Sequence, residues 1–141
     1  MNYDRPVASG VLYESAYHRC TLEPGGVFLR VVRTAQRFPD APAATIEYTS
    51  LSRALEFAGV NRPRALFDLR EAPLRSGDAI DEVATKFVAP QLAPFKRAAV
   101  LVRTAVGKLQ ILRLTKEHGH LAQVFEDEPA AVQYLTAPGA R

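Results

Sequence analysis

The chain has 141 residues and a formal net charge of +3, from 18 Lys and Arg against 15 Asp and Glu, with 48% apolar and 23% charged residues. That is one domain's worth of ordinary globular composition, which excludes a disordered polyelectrolyte and leaves too little chain for two comfortable domains. No run approaches the roughly 18 apolar residues that span a bilayer, and Met1-Asn2-Tyr3-Asp4-Arg5-Pro6 lacks the basic stretch and apolar core of a secretory signal; no membrane span and a cytoplasmic location are expected.

Cys20 is the single cysteine, so no internal disulfide or cysteine-based zinc site can form. Its place in an alternating stretch predicts a buried strand residue rather than a reactive thiol. The arginines are scattered, without a block of like charge or aromatic interleaving. A solvated surface is the expectation, and nothing argues for nucleic acid.

Along the chain, residues 1–10 are expected to be a flexible lead-in, 11–136 the domain and 137–141 a frayed tail. Tyr17 to Leu22 alternates and stops at the turn signal Glu23-Pro24-Gly25-Gly26, and Val27 to Arg33 follows as a β-branched strand, which makes a hairpin. Phe38-Pro39-Asp40-Ala41-Pro42 reads as a loop, because two prolines exclude a ladder or a helix interior. Thr45 to Ala58 has helical spacing and ends on Gly59, a favoured C-cap. Arg64 to Arg70 is a short apolar strand, followed by the loop Glu71-Ala72-Pro73-Leu74-Arg75-Ser76-Gly77.

Asp78 as N-cap, with Asp81 and Glu82 in the first turn, opens a helix that carries Ile80, Val83, Ala84, Phe87 and Val88 and is ended or bent by Pro90 and Pro94. Arg97 to Arg103 is a continuous apolar run, of the kind buried on both faces of a parallel sheet. Thr104 caps a helix through Leu109, Leu112 and Thr115, closed by His118-Gly119. Leu121 to Phe125 is a last strand, and Asp127-Glu128-Pro129 opens a terminal helix with Ala131, Val132 and Leu135. The order is β-β-α-β-α-β-α-β-α: an α/β fold with a mainly parallel sheet, right-handed crossovers and an initial antiparallel hairpin.

Three local features carry a resemblance. They are the strand Leu66-Phe67-Asp68-Leu69 running into a loop and an acidic-capped helix, the Arg97-to-Arg103 strand entering a helix at Thr104-Ala105-Val106-Gly107-Lys108, and the ending Val124-Phe125-Glu126-Asp127-Glu128-Pro129-Ala130-Ala131-Val132-Gln133-Tyr134-Leu135. With the element order, they make Tyr17 to Leu135 resemble a STAS domain, the anti-sigma-factor-antagonist type. The resemblance implies a non-enzymatic regulatory module acting through a protein partner of the kinase or sigma-regulatory type. In typical members a serine in an Asp-Ser-Ser-Gly-like loop at the start of the second helix is phosphorylated. Here the loop reads Pro73-Leu74-Arg75-Ser76-Gly77-Asp78, with a basic residue before its only serine. Ser76 is the candidate phosphorylation site, or else a loop hydroxyl. Lipid carriers grouped with this fold bind apolar ligands, so a module for a small anionic or apolar ligand is the alternative; no cofactor is implied.

Loops after successive parallel strands meet at one edge of a sheet, where open α/β folds bind ligands. There the sequence places Arg70, Arg75 and Ser76 after one strand, and Arg103, Thr104, Gly107 and Lys108 after the next. A helix N-terminus with glycine and lysine in its first turn can hold an anion; the plainer reading is solvated arginines and a glycine that permits close packing. Gly107-Lys108 is not a P-loop, since Val102 and Leu109 stand where that motif needs Gly and Ser or Thr. Glu117, His118 and His120 straddle a helix end and do not specify a metal site. No acid–base pair or nucleophilic triad is apparent, and an enzyme is not expected. Tyr13, Tyr17, Tyr48, Phe57 and Tyr134 could line a protein contact, and the first hairpin's open edge could pair two copies in a homodimer.

Overall fold

Period-2 alternation decides which side of the sheet each strand residue faces, and six strands agree on one row. The computed structural model describes residues 10–73, 75–116 and 122–138. Its strands are β1 (Val11–Glu14), β2 (His18–Leu22), β3 (Leu29–Arg33), β4 (Arg64–Asp68), β5 (Arg97–Leu101) and β6 (Ala122–Phe125); its helices are α1 (Ala41–Ala58), α2 (Asp78–Lys86), α3 (Val88–Leu92), α4 (Ala105–Lys116) and α5 (Glu128–Thr136). The six strands form one sheet in sequence order. β1, β2 and β3 are antiparallel neighbours, and β3 to β6 run parallel. Tyr13, Cys20, Val31, Phe67, Val100 and Val124 lie side by side across it.

That row belongs to the larger core, on what we call the front face. Leu51 and Leu55 of α1, Leu92 of α3 and partly buried Ile80, Val83 and Ala84 of α2 and Ile111 of α4 pack there. Sequential parallel strands joined by right-handed crossovers place their connecting helices on one side. α5 follows the last strand and returns across the back, where Ala131 and Leu135 pack on Phe28, Leu66, Ala99 and Leu101. β5 is thus apolar on both faces, as its unbroken run requires. Arg64 and Arg97, neighbours in register, donate to the carbonyl groups of Tyr134, Leu135 and Ala137 and satisfy the C-terminal end of α5.

The structure revises several sequence expectations. A strand precedes the expected hairpin: Val11–Glu14 pairs with β2, so the edge proposed for a homodimer is covered and β1 is the edge instead. Ala41 and Pro42 belong to α1, whose N-cap Asp40 accepts a hydrogen bond from Ala43 N–H at 2.8 Å; proline is tolerated there because a first-turn N–H has no helical partner. Gly59 does end α1, but with φ −76°. It is glycine for space, since a Cβ would come 2.8 Å from Pro94 Cβ. The second long helix breaks at Phe87 into α2 and α3, and its N-cap is Gly77, at φ 109°, rather than Asp78. On α4, Leu109 and Leu112 are exposed and Ile111 faces the core. The expected lead-in and tail lie outside the described residues, except Gly10, Ala137 and Pro138.

Candidate functional site

The residues expected at the carboxyl edge of the sheet do not form one basket; they divide between its two faces. On the back, Arg70 folds over Asp68, with Nη2 to Oδ2 at 2.8 Å and Nε to Oδ1 at 3.0 Å, and reaches Glu128 Oε1 at 2.9 Å. Arg30 of β3 binds the other Glu128 oxygen at 2.9 Å and Glu23 at 3.1 Å. Burial opposes ionisation of Asp68, but the hydrogen bonds from the Arg70 side chain and backbone outweigh it and hold the carboxyl below its ordinary value. Arg103 donates to the Arg70 carbonyl oxygen. These groups tie β3, β4 and the start of α5 together with matched charges.

Thr104, Gly107 and Lys108 make a helix start. The Thr104 hydroxyl accepts from Gly107 N–H at 3.0 Å, and its carbonyl accepts from Lys108 N–H at 3.0 Å. A Cβ at Gly107 would lie 3.3 Å from the Thr104 hydroxyl and 3.7 Å from Val102, so glycine lets α4 approach the strand end. The remaining pair turns to the front. Arg75 is exposed and lies 3.5 Å from Asp78, and Ser76 N–H donates to Asp81 Oδ1 at 3.2 Å.

Arg75 and Ser76 stand at the rim of a cavity of about 450 Å³ between the front of the sheet and the helices. Val31, Phe67 and Val100 line it from the sheet, Ile80, Ala84 and Leu92 from α2 and α3, and Ile111 from α4. At the β2–β3 side it meets three polar residues that the sequence reading did not single out as a site: His18, Arg33 and Tyr48, which are 3%, 5% and 8% exposed.

Behind His18 lies a buried hydrogen-bonded cluster. Its Nδ1 is 2.7 Å from Glu47 Oε2, and the Ser15 hydroxyl donates to the same oxygen at 2.7 Å. Ser15 Oγ in turn accepts from the N–H groups of Tyr17 and His18 at 3.0 and 3.1 Å. Burial lowers the His18 pKa despite the neighbouring carboxylate, which makes the ring neutral at pH 7 with its proton on the Nδ1 that faces Glu47. Burial works against the Glu47 carboxylate, yet hydrogen bonds from His18, Ser15 and Tyr13 keep its pKa low. Burial first, and then the Glu47 charge, push the Tyr13 hydroxyl up to about 12.

Arg33 differs from Arg30 and Arg70 in its partners and resembles Arg64 and Arg97, which also donate to carbonyl groups, but unlike those two it lines a cavity. Its Nη1 donates to the carbonyl groups of Thr34 and Gln36 at 2.6 and 2.7 Å, and its guanidinium lies 4.7 Å from the Phe38 ring centre. Among the described residues no carboxylate lies within ion-pair distance of it. Tyr17 stacks on Phe38 at 4.3 Å, Phe38 contacts Tyr48, and Tyr48 stacks on Phe87 at 5.7 Å. These rings enclose the cation and form an aromatic wall. Tyr17 and Tyr48 are therefore not free contact aromatics, and Tyr134 packs on Phe125 and Arg97; of the five residues named for a protein surface, Phe57 alone is exposed.

The Cys20 thiol is buried and raised to about 11 by that burial, as its strand position predicts. Among the described residues no group of three His, Cys, Asp or Glu could hold a metal, and Glu117, His118 and His120 lie outside them. No helix among the described residues is long and apolar enough to cross a membrane. No protein-family model, curated protein or solved structure matches the chain.

Proposed function

We propose that this chain is a non-enzymatic, cytoplasmic binding module of the STAS kind, and that it works by taking a small, mainly apolar ligand into the front cavity. One observation carries the reading: a mainly apolar space of about 450 Å³ opens at the carboxyl edge of a parallel sheet, with His18, Arg33 and Tyr48 buried at one end and polar residues such as Asp81, Gln110 and Arg113 along the helices. That volume lies within the range of small-molecule sites, and open α/β sheets bind ligands at this edge. The test is a titration with 1-aminoanthracene, a neutral fluorescent probe of matching size, of the parent and an Ala84→Phe variant that fills the space from α2. Saturable binding by the parent, lost in the variant at unchanged thermal midpoint, supports the reading. No binding, or equal binding by both, overturns it.

A regulatory arm of the proposal uses the same rim. Ser76 sits between exposed Arg75 and Asp78 and is anchored to Asp81. A phosphate on Ser76 would stand just before the N-terminus of α2, next to Arg75 and to the Asp78 and Asp81 carboxylates, and would redistribute the ion pairing there. A protein partner of the kinase or sigma-regulatory type would act through this loop. Incubation with host lysate and ATP, followed by mass spectrometry, checks it; an unmodified Ser76 removes this arm.

A further inference from the structure

We infer that the ligand of the front cavity carries a single carboxylate and that Arg33 is its seat. The inference rests on the cavity being a ligand site and adds the chemistry of what enters. Arg33 lines the cavity and is 5% exposed. A buried guanidinium without a counter-charge is costly, and proteins pair such groups or give them a ligand. The acidic groups nearby are otherwise occupied. Glu47 is held by His18 and Ser15, and Asp81, which also lines the cavity, accepts from Ser76 N–H. Neither is within ion-pair distance of Arg33.

The balance of charge around the space points the same way. Its described lining contains Arg33, Arg75 and Arg113 against Asp81, with His18 neutral. Arg75 and Arg113 are exposed and Asp81 is half-buried, so Arg33 is the one fully buried charge in the described lining, and Asp81 is not within ion-pair distance of it. A monoanion matches it, whereas a phosphate monoester would bring a second charge into the apolar site.

Arg33 is also held in place beforehand. The Thr34 and Gln36 carbonyl groups fix Nη1, Phe38 supports the guanidinium plane and the Tyr48 hydroxyl is hydrogen-bonded to the group, so an anion would meet the Nε and Nη2 side together with Tyr48. A planar guanidinium is suited to a carboxylate. The sheet side of the space, with Val31, Phe67 and Val100, is apolar, and the volume of about 450 Å³ accommodates roughly 15 water-sized groups. Dodecanoate is the probe of that size and charge.

The full chain is titrated calorimetrically with dodecanoate, dodecanol and dodecyl phosphate, in parallel with Arg33→Met and Arg33→Lys variants. The expected result is that the parent prefers dodecanoate over dodecanol by about tenfold or more, that Arg33→Met abolishes the preference without weakening dodecanol, and that Arg33→Lys restores part of it. Equal binding of acid and alcohol by the parent overturns the carboxylate assignment and leaves the cavity reading intact. Tightest binding of the phosphate overturns the monoanion. Binding of none of the three overturns both. Should Arg33→Met fail to fold, the acid-to-alcohol ratio of the parent decides alone.

Discussion

Arg30 and Arg33 lie on the same strand and point to opposite faces of the sheet, and they are treated in opposite ways. Arg30 is surrounded by Glu23, Glu128 and Asp68, with Arg70 sharing two of those carboxylates. Arg33 is the more deeply buried, yet it has carbonyl groups and aromatic rings about it and no described carboxylate. The back-face network closes over the start of α5 and leaves its charges matched inside the protein. The front face leaves a cation beside an apolar space. Charges completed within the fold hold structure, whereas a charge completed from outside selects a ligand.

The largest expected effect separates the two faces by stability. Asp68→Ala removes the central carboxylate of the back network, leaves Arg70 with Glu128 alone and Arg30 with Glu23 and Glu128, and should cost about 2 kcal/mol. Arg33→Met should change stability by no more than about 1 kcal/mol, since it replaces an unpaired buried charge with a side chain of similar volume. Urea unfolding of both variants measures the contrast. If Arg33→Met costs as much as Asp68→Ala, Arg33 is a structural residue like Arg30 and the distinction between the faces fails.

The smaller effect is the pH dependence, which separates the faces by range. The folded-state pKa of His18 lies below its ordinary 6.5, so the unfolded chain takes up a proton first as pH falls. Stability should therefore decline below pH 6.5, with a slope of at most about 1.4 kcal/mol per pH unit from this group. Asp68 is depressed from 3.8 and Glu47 from 4.5; their contributions are present above those values and are lost only as pH falls through the lower folded values. Between pH 6.5 and 5, of these three groups His18 alone responds, and a His18→Gln variant should flatten the slope there. An unchanged slope in that variant would show that the buried imidazole does not titrate as its surroundings dictate.

Much of this architecture is readable in the chain, because each helix and most strands carry their own local period. β1 escaped because four residues, Val11–Glu14, alternate too briefly to stand out from a leading segment. The break at Phe87 escaped because α2 and α3 share one apolar stripe across it. The arginines of the β4 and β5 loops were visible, but whether they were already matched depended on Glu128, which lies 58 residues beyond Arg70. The cavity was harder still, since His18, Arg33, Tyr48, Ala84, Leu92 and Ile111 come from six elements and share no spacing. One signal was present. In Leu29-Arg30-Val31-Val32-Arg33, Arg33 is in phase with Leu29 and Val31, both buried, and His18 is likewise in phase with Cys20. A charged residue on the inward phase of a strand marks a buried polar site better than a charged residue in a loop.

The central claim is most directly tested by crystals of the parent protein grown with ω-bromododecanoate, with anomalous diffraction measured at the bromine edge. A bromine peak is expected among Phe67, Leu92 and Ile111, with the carboxylate on the Arg33 guanidinium. An empty front cavity at saturating ligand, or a carboxylate seated on Arg70 or Arg103 instead, would contradict the claim.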